Sequence, residues 1–301
     1  MNENKKVLFI INKYSGASYQ PGVEGRILTH CAELGLEPTL EFTQGRGHAT
    51  QLARQAVESK QFAVLFAVGG DGTVNEVAQG VVNTPQVMGI IPKGSGNGLA
   101  RHLGIPIPFR KSLRYIGSTA IISMDSFTIN DRLSLNISGI GFDGHIANLF
   151  GKNGKRGLLG YSQLVIKEFY RYQQAQVIGE IDGRPFDQTI FVLAFANSSQ
   201  FGNNARIAPR ASVYDGLLDV CFLHKVPVTH AIGFIQQLFA GRLEKSQWVT
   251  HQKGKTIELM YSEPMPFHVD GEGMPAQKSF RIQINPASIR MLVPTERAEN
   301  I

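Results

Sequence analysis

The sequence predicts an α/β plus β fold: an N-terminal domain built on a parallel sheet, then a mostly antiparallel β-sandwich. Three observations carry this. Apolar strand-like runs alternate with helical periodicities over the first 125 residues. From residue 126 the pattern changes to short strands bounded by turn residues. Two glycine-rich loops each follow a strand run and open a helical one.

In order, the first strands are expected at Val7–Ile11, Pro38–Thr43, Ala63–Val68 and Val87–Ile91, with helices at Val23–Leu34, His48–Ser59 and Val74–Val82. A βαβ alternation of this kind makes a parallel sheet with helices on both faces, and it collects ligands at the carboxyl ends of the strands. All the glycine-bearing loops fall there, including Asn12-Lys13-Tyr14-Ser15-Gly16 and Thr43-Gln44-Gly45-Arg46-Gly47-His48. In the second half, strands are expected at Ser126–Ile129, Leu133–Ser138, Gln176–Asp182, Thr189–Ala196, Leu217–Leu223, Thr256–Met260, Phe267–Val269 and Phe280–Ile284. Asn130-Asp131, Asp182-Gly183 and Asp270-Gly271 supply turns. Helical patterns interrupt at His145–Tyr172, broken around Gly151–Gly157, and at Thr229–Phe239. The boundary near residue 125 is a change of topology without a linker, so the two domains (1–125 and 126–286) are expected to abut over a shared cleft.

At 301 residues with 43% hydrophobic content, the chain is long enough for two domains with real cores. No apolar run reaches the roughly 18 residues of a spanning helix, and the N-terminus has no signal-peptide pattern. Two cysteines, Cys31 and Cys221, lie in apolar surroundings without a CxxC, which fits a reduced, cytoplasmic setting. A net charge of +6 favours anionic partners. Nucleic acid is not among those expected, because the basic residues are scattered and no recognised binding motif is present.

The loops Gly69-Gly70-Asp71-Gly72-Thr73-Val74-Asn75-Glu76 and Pro92-Lys93-Gly94-Ser95-Gly96-Asn97-Gly98 carry the chemistry. Glycines let backbone N–H groups approach an anion, and a helix N-terminus adds its positive dipole end. Two such loops on neighbouring strands make a phosphate cradle. Within it the amides of Gly69, Gly70, Asp71, Gly72, Thr73, Val74 and Asn75 would hold phosphate, with Thr73 and Asn75 as side-chain donors. Ser95 would donate from the Gly94–Asn97 loop, and Asn12 and Thr43 from the neighbouring ones. Taken singly, each polar residue is more often a turn residue or helix cap; the shared placement at the strand ends is what favours the phosphate role. Other motifs fail. Gly254-Lys255-Thr256 lacks the first glycine of a P-loop, since Val249 stands there. Gly139-Ile140-Gly141-Phe142-Asp143-Gly144 fits GxGxxG but has no βαβ unit around it.

With Gly69-Gly70-Asp71-Gly72-Thr73, Asn75-Glu76 and Pro92-x-Gly94-Ser95-Gly96-Asn97, the chain resembles the diacylglycerol kinase catalytic domain family, which includes bacterial lipid kinases and the sphingosine and ceramide kinases. The resemblance continues, in order, through Gly139-Ile140-Gly141-Phe142-Asp143, Ile207-Ala208-Pro209-x-Ala211-Ser212, Asp215-Gly216-Leu217-Leu218-Asp219-Val220 and Val269-Asp270-Gly271-Glu272. NAD kinases share only the first element. Gly94-Ser95-Gly96-Asn97 is closer to the sphingosine kinase form than to the GTxND loop of many bacterial members.

The resemblance implies an ATP-binding α/β domain to which residues 287–301 return, and a lipid-substrate sandwich. It implies ATP-dependent transfer of the γ-phosphoryl group to a lipid hydroxyl, such as that of diacylglycerol, a sphingoid base or ceramide, with Mg²⁺. It also implies a structural Mg²⁺ loop in which Asp215 gives its carboxylate and Ser212 and Leu217 their carbonyls. The base is Glu272 in bacterial members and Asp71 in the sphingosine kinase form; Glu272 is favoured here, with Asp71 acting through metal or water. A soluble-acceptor, NAD-kinase-like phosphotransferase and a non-catalytic nucleotide-binding protein are the alternatives. The expected setting is cytoplasmic and peripheral at an anionic membrane surface, and a homodimer is left open. Residues 152–172, with Leu158-Leu159-Gly160-Tyr161, Leu164-Val165-Ile166 and Phe169-Tyr170 near Lys152, Lys155, Arg156, Lys167 and Arg171, suit either membrane contact or a core helix over one end of the sandwich.

Overall fold

The computed structural model describes residues 5–16, 22–152 and 158–298. The chain divides into two compact units, Met1–Met124 with Ala287–Ile301, and Asp125–Pro286.

The first unit runs β1 (Lys6–Ile11), α1 (Val23–Glu33), β2 (Glu37–Phe42), α2 (His48–Ser59), β3 (Val64–Gly69), α3 (Asp71–Val81), β4 (Val87–Pro92), α4 (Gly98–His102) and α5 (Phe109–Arg114). Its sheet is parallel in the order β4-β3-β1-β2, and the last strand of the chain adds beside β4 with Arg290 opposite Val87 and Met291 opposite Met88. VLFAVG of β3 and VMGIIP of β4 are buried throughout, as strands covered on both faces must be, whereas edge strand β2 is nowhere fully buried. Phe9 of β1 stacks on Phe66 of β3, ring centroids 4.8 Å apart. The chain goes from β1 outward to β2 and then back across β1 to β3. The reversal creates a switch point at the carboxyl ends of β1 and β3, where such sheets form a crevice.

The second unit takes over within β5 (Thr119–Ile129) and continues through β6 (Arg132–Ser134), β7 (Ile137–Gly141), α6 (Phe142–Lys152), α7 (Leu158–Phe169), β8 (Ala175–Ile181), β9 (Arg184–Ile190), β10 (Val192–Ala196), β11 (Leu218–Leu223), α8 (Ala231–Ala240), β12 (Val249–Gly254), β13 (Thr256–Val269) and β14 (Glu272–Pro294), before α9 (Thr295–Ala298). It is antiparallel, in the order β12-β11-β10-β7-β13-β14, with β8 beside β13 and β9 beside β8. The two-residue period of β10 separates two cores. Leu193 and Phe195 join Val220 and Phe222 of β11, Ile257 and Phe267 of β13 and Phe280 of β14 in the sandwich interior. Val192, Ala194 and Ala196 join Cys221 and Leu223 in an outer core, against which Leu164, Val165 and Phe169 of α7 and Phe234 and Leu238 of α8 pack.

Several boundaries differ from expectation for identifiable reasons. The stretch expected as one strand from Leu133 to Ser138 is two, because the N–H groups of Leu135 and Asn136 donate to the Asp270 carboxylate instead of a strand ladder. Thr256–Met260 and Phe267–Val269 belong to one strand, β13, which passes Pro264 and Pro266 with register shifts around Met265. The polar edge strand β12 (VTHQKG) carries too little apolar alternation to have been anticipated. The helical stretch beginning near His145 is α6 and α7; the expected break at 151–157 lies largely outside the described residues, as do Lys155 and Arg156.

One capping interaction ties the helices of the first unit together. The Glu76 carboxylate on α3 accepts the N–H of Gly47 at 2.9 Å and of Ala49 at 3.2 Å, at the N-terminus of α2, and Thr50 Oγ1 donates to the Glu76 carbonyl at 2.8 Å. A carboxylate at that end is favoured by the helix dipole and satisfies amides that have no intrahelical partner. Glu76→Ala is expected to destabilise the protein by about 1–2 kcal/mol, read from the denaturant midpoint at constant slope; an unchanged midpoint means the cap contributes nothing.

Candidate active site

Three loops meet at the switch point of the first unit. After β1, Asn12 donates its N–H to the Val68 carbonyl at 3.0 Å and its Nδ2 to Thr73 Oγ1 at 3.1 Å. After β3, Gly70 caps α3 with extended backbone. After β4, the Lys93 N–H donates to the Gly69 carbonyl at 2.7 Å. Two of these loops touch backbone to backbone. A Cβ on Gly94 would lie 2.5 Å from Gly70 Cα, and one on Gly70 would lie 3.1 Å from Gly94 Cα and 3.2 Å from Ser15 Oγ. Gly16, at φ +81°, closes the third side: a Cβ there would stand 2.4 Å from the Lys93 carbonyl oxygen. Gly72, by contrast, has open space where its side chain would be. The first-turn amides of α3 precede its own hydrogen-bond ladder, which begins with the Val74 N–H donating to the Gly70 carbonyl at 3.1 Å. A helix N-terminus reached through glycines is suited to an anion such as phosphate.

The polar residues singled out from the sequence divide by what they touch. Asn97, buried and left-handed at φ 49°, folds its own loop: its Oδ1 accepts the Gly94 N–H at 2.9 Å and its Nδ2 donates to the Gly94 carbonyl at 2.7 Å. Asn75 is buried on α3, where its Oδ1 accepts Gln79 Nε2 at 2.7 Å, and buried Thr73 receives Asn12. Thr43 follows β2, its N–H donating to the Ile11 carbonyl at 2.9 Å. Ser95 is exposed at the loop tip, Gly96 gives its carbonyl to Arg101 Nε at 3.1 Å, and Asp71 is half-buried at the first position of α3. One residue was passed over. The Lys93 ammonium donates to the carbonyls of Ser15 at 2.7 Å and Lys13 at 3.3 Å, bridging the loops after β4 and β1, and burial holds its pKa below the ordinary lysine value.

In the second unit, Glu272 stands exposed at the start of β14, paired with Val269 across a two-residue turn. Asp270 (φ 47°) and Gly271 (φ 85°) both have the positive φ that this tight hairpin requires. The turn is anchored twice. The Asp270 carboxylate accepts Ser134 Oγ at 2.6 Å and the N–H groups of Leu135 and Asn136, both at 3.0 Å. His268 Nδ1 accepts the Gly271 N–H at 3.1 Å, so its Nε2 is the nitrogen that donates to Asp143 Oδ2, also at 3.1 Å. Gly139 makes room for that carboxylate, since a Cβ there would overlap Asp143 Oδ2. The glycine motif around Gly139 thus shapes the hairpin that carries Glu272.

In the loop that resembles a structural magnesium site, the Asp215 carboxylate is paired with a lysine. Asp215 Oδ1 accepts the Leu217 N–H at 3.1 Å, and Oδ2 is paired with Lys253 Nζ at 2.7 Å. Lys253 also lies 3.4 Å from Asp219, whose carboxyl burial pushes above the usual carboxylate range. Ser212 Oγ accepts the Tyr214 N–H at 3.4 Å. Among the described residues no cluster of three or more His, Cys, Asp or Glu side chains is arranged to hold a metal. The Asp215 carboxylate is the one side-chain ligand this loop offers, so a magnesium ion held by Ser212, Asp215 and Leu217 would have to compete with Lys253 for it. Millimolar Mg²⁺ is therefore expected to move the melting temperature of the nucleotide-free protein by no more than about 1 °C. A rise of several degrees that disappears in Asp215→Asn would restore the metal loop.

Comparison with known proteins finds relatives over both units. Residues 6–129 match the diacylglycerol kinase catalytic domain, and residues 137–293 match the YegS C-terminal NAD kinase beta sandwich-like domain. The chain is 27% identical to a diacylglycerol kinase of Bacillus subtilis (strain 168) over 99% of each protein. It is 28% identical to a "Probable lipid kinase YegS-like" protein of Chromohalobacter salexigens over 87% of this chain and 86% of that one. A crystal structure of a diacylglycerol kinase from Bacillus anthracis str. Sterne has the same fold, with a TM-score of 0.74 at 19% identity, covering 98% of this chain and 99% of the other. With glycine loops at the switch point of a parallel sheet and an anchored acidic hairpin in a β-sandwich, the chain belongs to the diacylglycerol kinase family that joins this catalytic domain to a YegS-type C-terminal domain.

Proposed function

We propose that this protein is an ATP-dependent lipid kinase that transfers the γ-phosphoryl group to the hydroxyl of a lipid such as diacylglycerol, a sphingoid base or ceramide. The observation that carries the reading is the contact of Gly70 with Gly94, which brings two glycine loops together beside the N-terminus of α3. Amides of Gly70 to Thr73 would bind the phosphates, with the exposed Ser95 hydroxyl as a further donor. Asn12, Asn97 and Lys93 act one step back, by holding the loops. Magnesium carried by the nucleotide would neutralise charge on the transferring phosphoryl group, and Asp71, at the head of α3, is the carboxylate that would hold it.

A lipid hydroxyl is a poor nucleophile at neutral pH and needs a carboxylate to accept its proton as the new P–O bond forms. Glu272 is that base. Its hairpin is fixed by Asp270 and by the Asp143–His268 pair, so its position is set by secondary structure rather than by a mobile loop. ADP is the leaving group. The setting would be cytoplasmic and peripheral at an anionic membrane surface. The described helices include none long and apolar enough to cross a membrane. The family description of residues 137–293 as NAD kinase-like supports one second reading, transfer to a soluble acceptor. ADP release stimulated by dispersed lipids but not by NAD supports the first reading, and the reverse supports the second.

Gly94→Ala is expected to force the two loops apart. Overpacking of this kind costs roughly 1–3 kcal/mol, which would appear as up to about a 10²-fold loss of ATP affinity with the fold kept. Glu272→Gln is expected to lower turnover by roughly 10²–10⁴-fold while ATP affinity holds. Near-normal turnover in that variant, together with an inactive Asp71→Asn that still binds ATP, would transfer the role of base to Asp71.

A further inference from the structure

We infer that α8 and the outer side of α7 form the surface by which this protein docks on an anionic lipid bilayer. The residues from Val228 to Ala240 include no lysine, arginine or acidic side chain, and none of α8 is fully buried. Its inner side, Phe234 and Leu238, rests on the outer core of the sandwich. Its outer side presents Val228, Ile232, Ile235 and Phe239, which recur at intervals of four, three and four and so form one stripe along the helix and the turn before it. Their exposures are 55%, 74%, 50% and 52%. α7 packs on the same outer core through Leu164, Val165 and Phe169; its Tyr161 and Ile166, and Tyr170 just after it, are exposed. These two segments and their flanking residues thus carry seven of the fourteen large hydrophobic side chains exposed among the described residues, so exposed apolar surface is concentrated here.

Charge identifies the occupant. Lys167 on α7, Arg171 just after it, and Arg242 and Lys245 just after α8 are exposed. The acids there are already partnered, Glu168 with His145 at 3.0 Å and Glu244 with Arg210 at 2.8 Å. An uncharged apolar helix with a cationic margin suits the headgroup region of a bilayer containing anionic lipid. A second copy suits it less well, because a two-fold contact through this surface brings the same cations against each other. From the sequence, membrane contact was raised only for 152–172, where a core helix was the other reading; α8 is the segment that the structure adds. The inference rests on the lipid-acceptor reading for its purpose, and on α7 and α8 for its geometry.

The test uses the full chain and sedimentation with vesicles of phosphatidylcholine, with or without one third phosphatidylglycerol. The parent is expected to bind the mixed vesicles, and more weakly as salt rises. Ile232→Gln with Ile235→Gln should lower the partition coefficient by roughly 10²-fold at unchanged melting temperature, and should lower activity on vesicle-borne lipid but not on detergent-dispersed lipid. Arg242→Gln with Lys245→Gln provides a second, surface-only variant, expected to remove most of the preference for phosphatidylglycerol. Binding retained in both double variants overturns the inference. So does a parent that is dimeric where the isoleucine variant is monomeric, since the stripe is then a contact between copies. If vesicle binding behaves as stated but no lipid is phosphorylated, the docking surface stands and the kinase reading falls.

Discussion

The first unit depends on one close approach: Gly70 against Gly94, with no side chain between them. The parallel sheet puts the ends of β3 and β4 side by side, and any Cβ at Gly94 would hold their loops apart. Removing both side chains lets the backbones meet, and the polar residues then act as fasteners. Asn97 closes its own loop, Lys93 reaches the carbonyls after β1, and Asn12 crosses to Thr73. The glycines therefore answer two demands. They permit loop-to-loop packing, and at Gly72 they leave open space beside the amides of a helix N-terminus.

The second unit fixes its acidic residue by another route. A tight Asp-Gly turn sets the backbone of the hairpin, and the same aspartate reaches back to Ser134, Leu135 and Asn136. His268 joins the turn to Asp143 at the start of α6. Glu272 is consequently held by strand pairing and by two part-buried polar anchors, while its own side chain stays exposed. The helices over the outer core do the opposite. Their inner residues pack, and their outer apolar residues remain uncovered.

Legibility from sequence followed the range of the interactions. β3 and β4 are continuous apolar runs followed at once by glycine loops, so strand, loop and helix could be read from one short window. The Asp270-Gly271 hairpin was equally local. Long-range contacts were not legible. Glu76 caps a helix whose first turn lies 27 to 29 residues away, Asp143 meets His268 across 125 residues, and Lys253 finds Asp215 across 38. Asn97 carries the residue type of a phosphate donor, yet its amide closes the loop, and nothing in its neighbours distinguishes the two roles. β13 was divided by its prolines because bulges that accommodate them leave no mark on an apolar pattern.

The central claim is that phosphate binds where the two glycine loops touch. A crystal structure of the protein with a non-hydrolysable ATP analogue and Mg²⁺ tests it most directly. The account predicts β- and γ-phosphate oxygens within hydrogen-bond distance of the amides between Gly70 and Thr73, with Gly70 and Gly94 still in contact. Nucleotide phosphates bound elsewhere, with these amides facing only solvent, would contradict it.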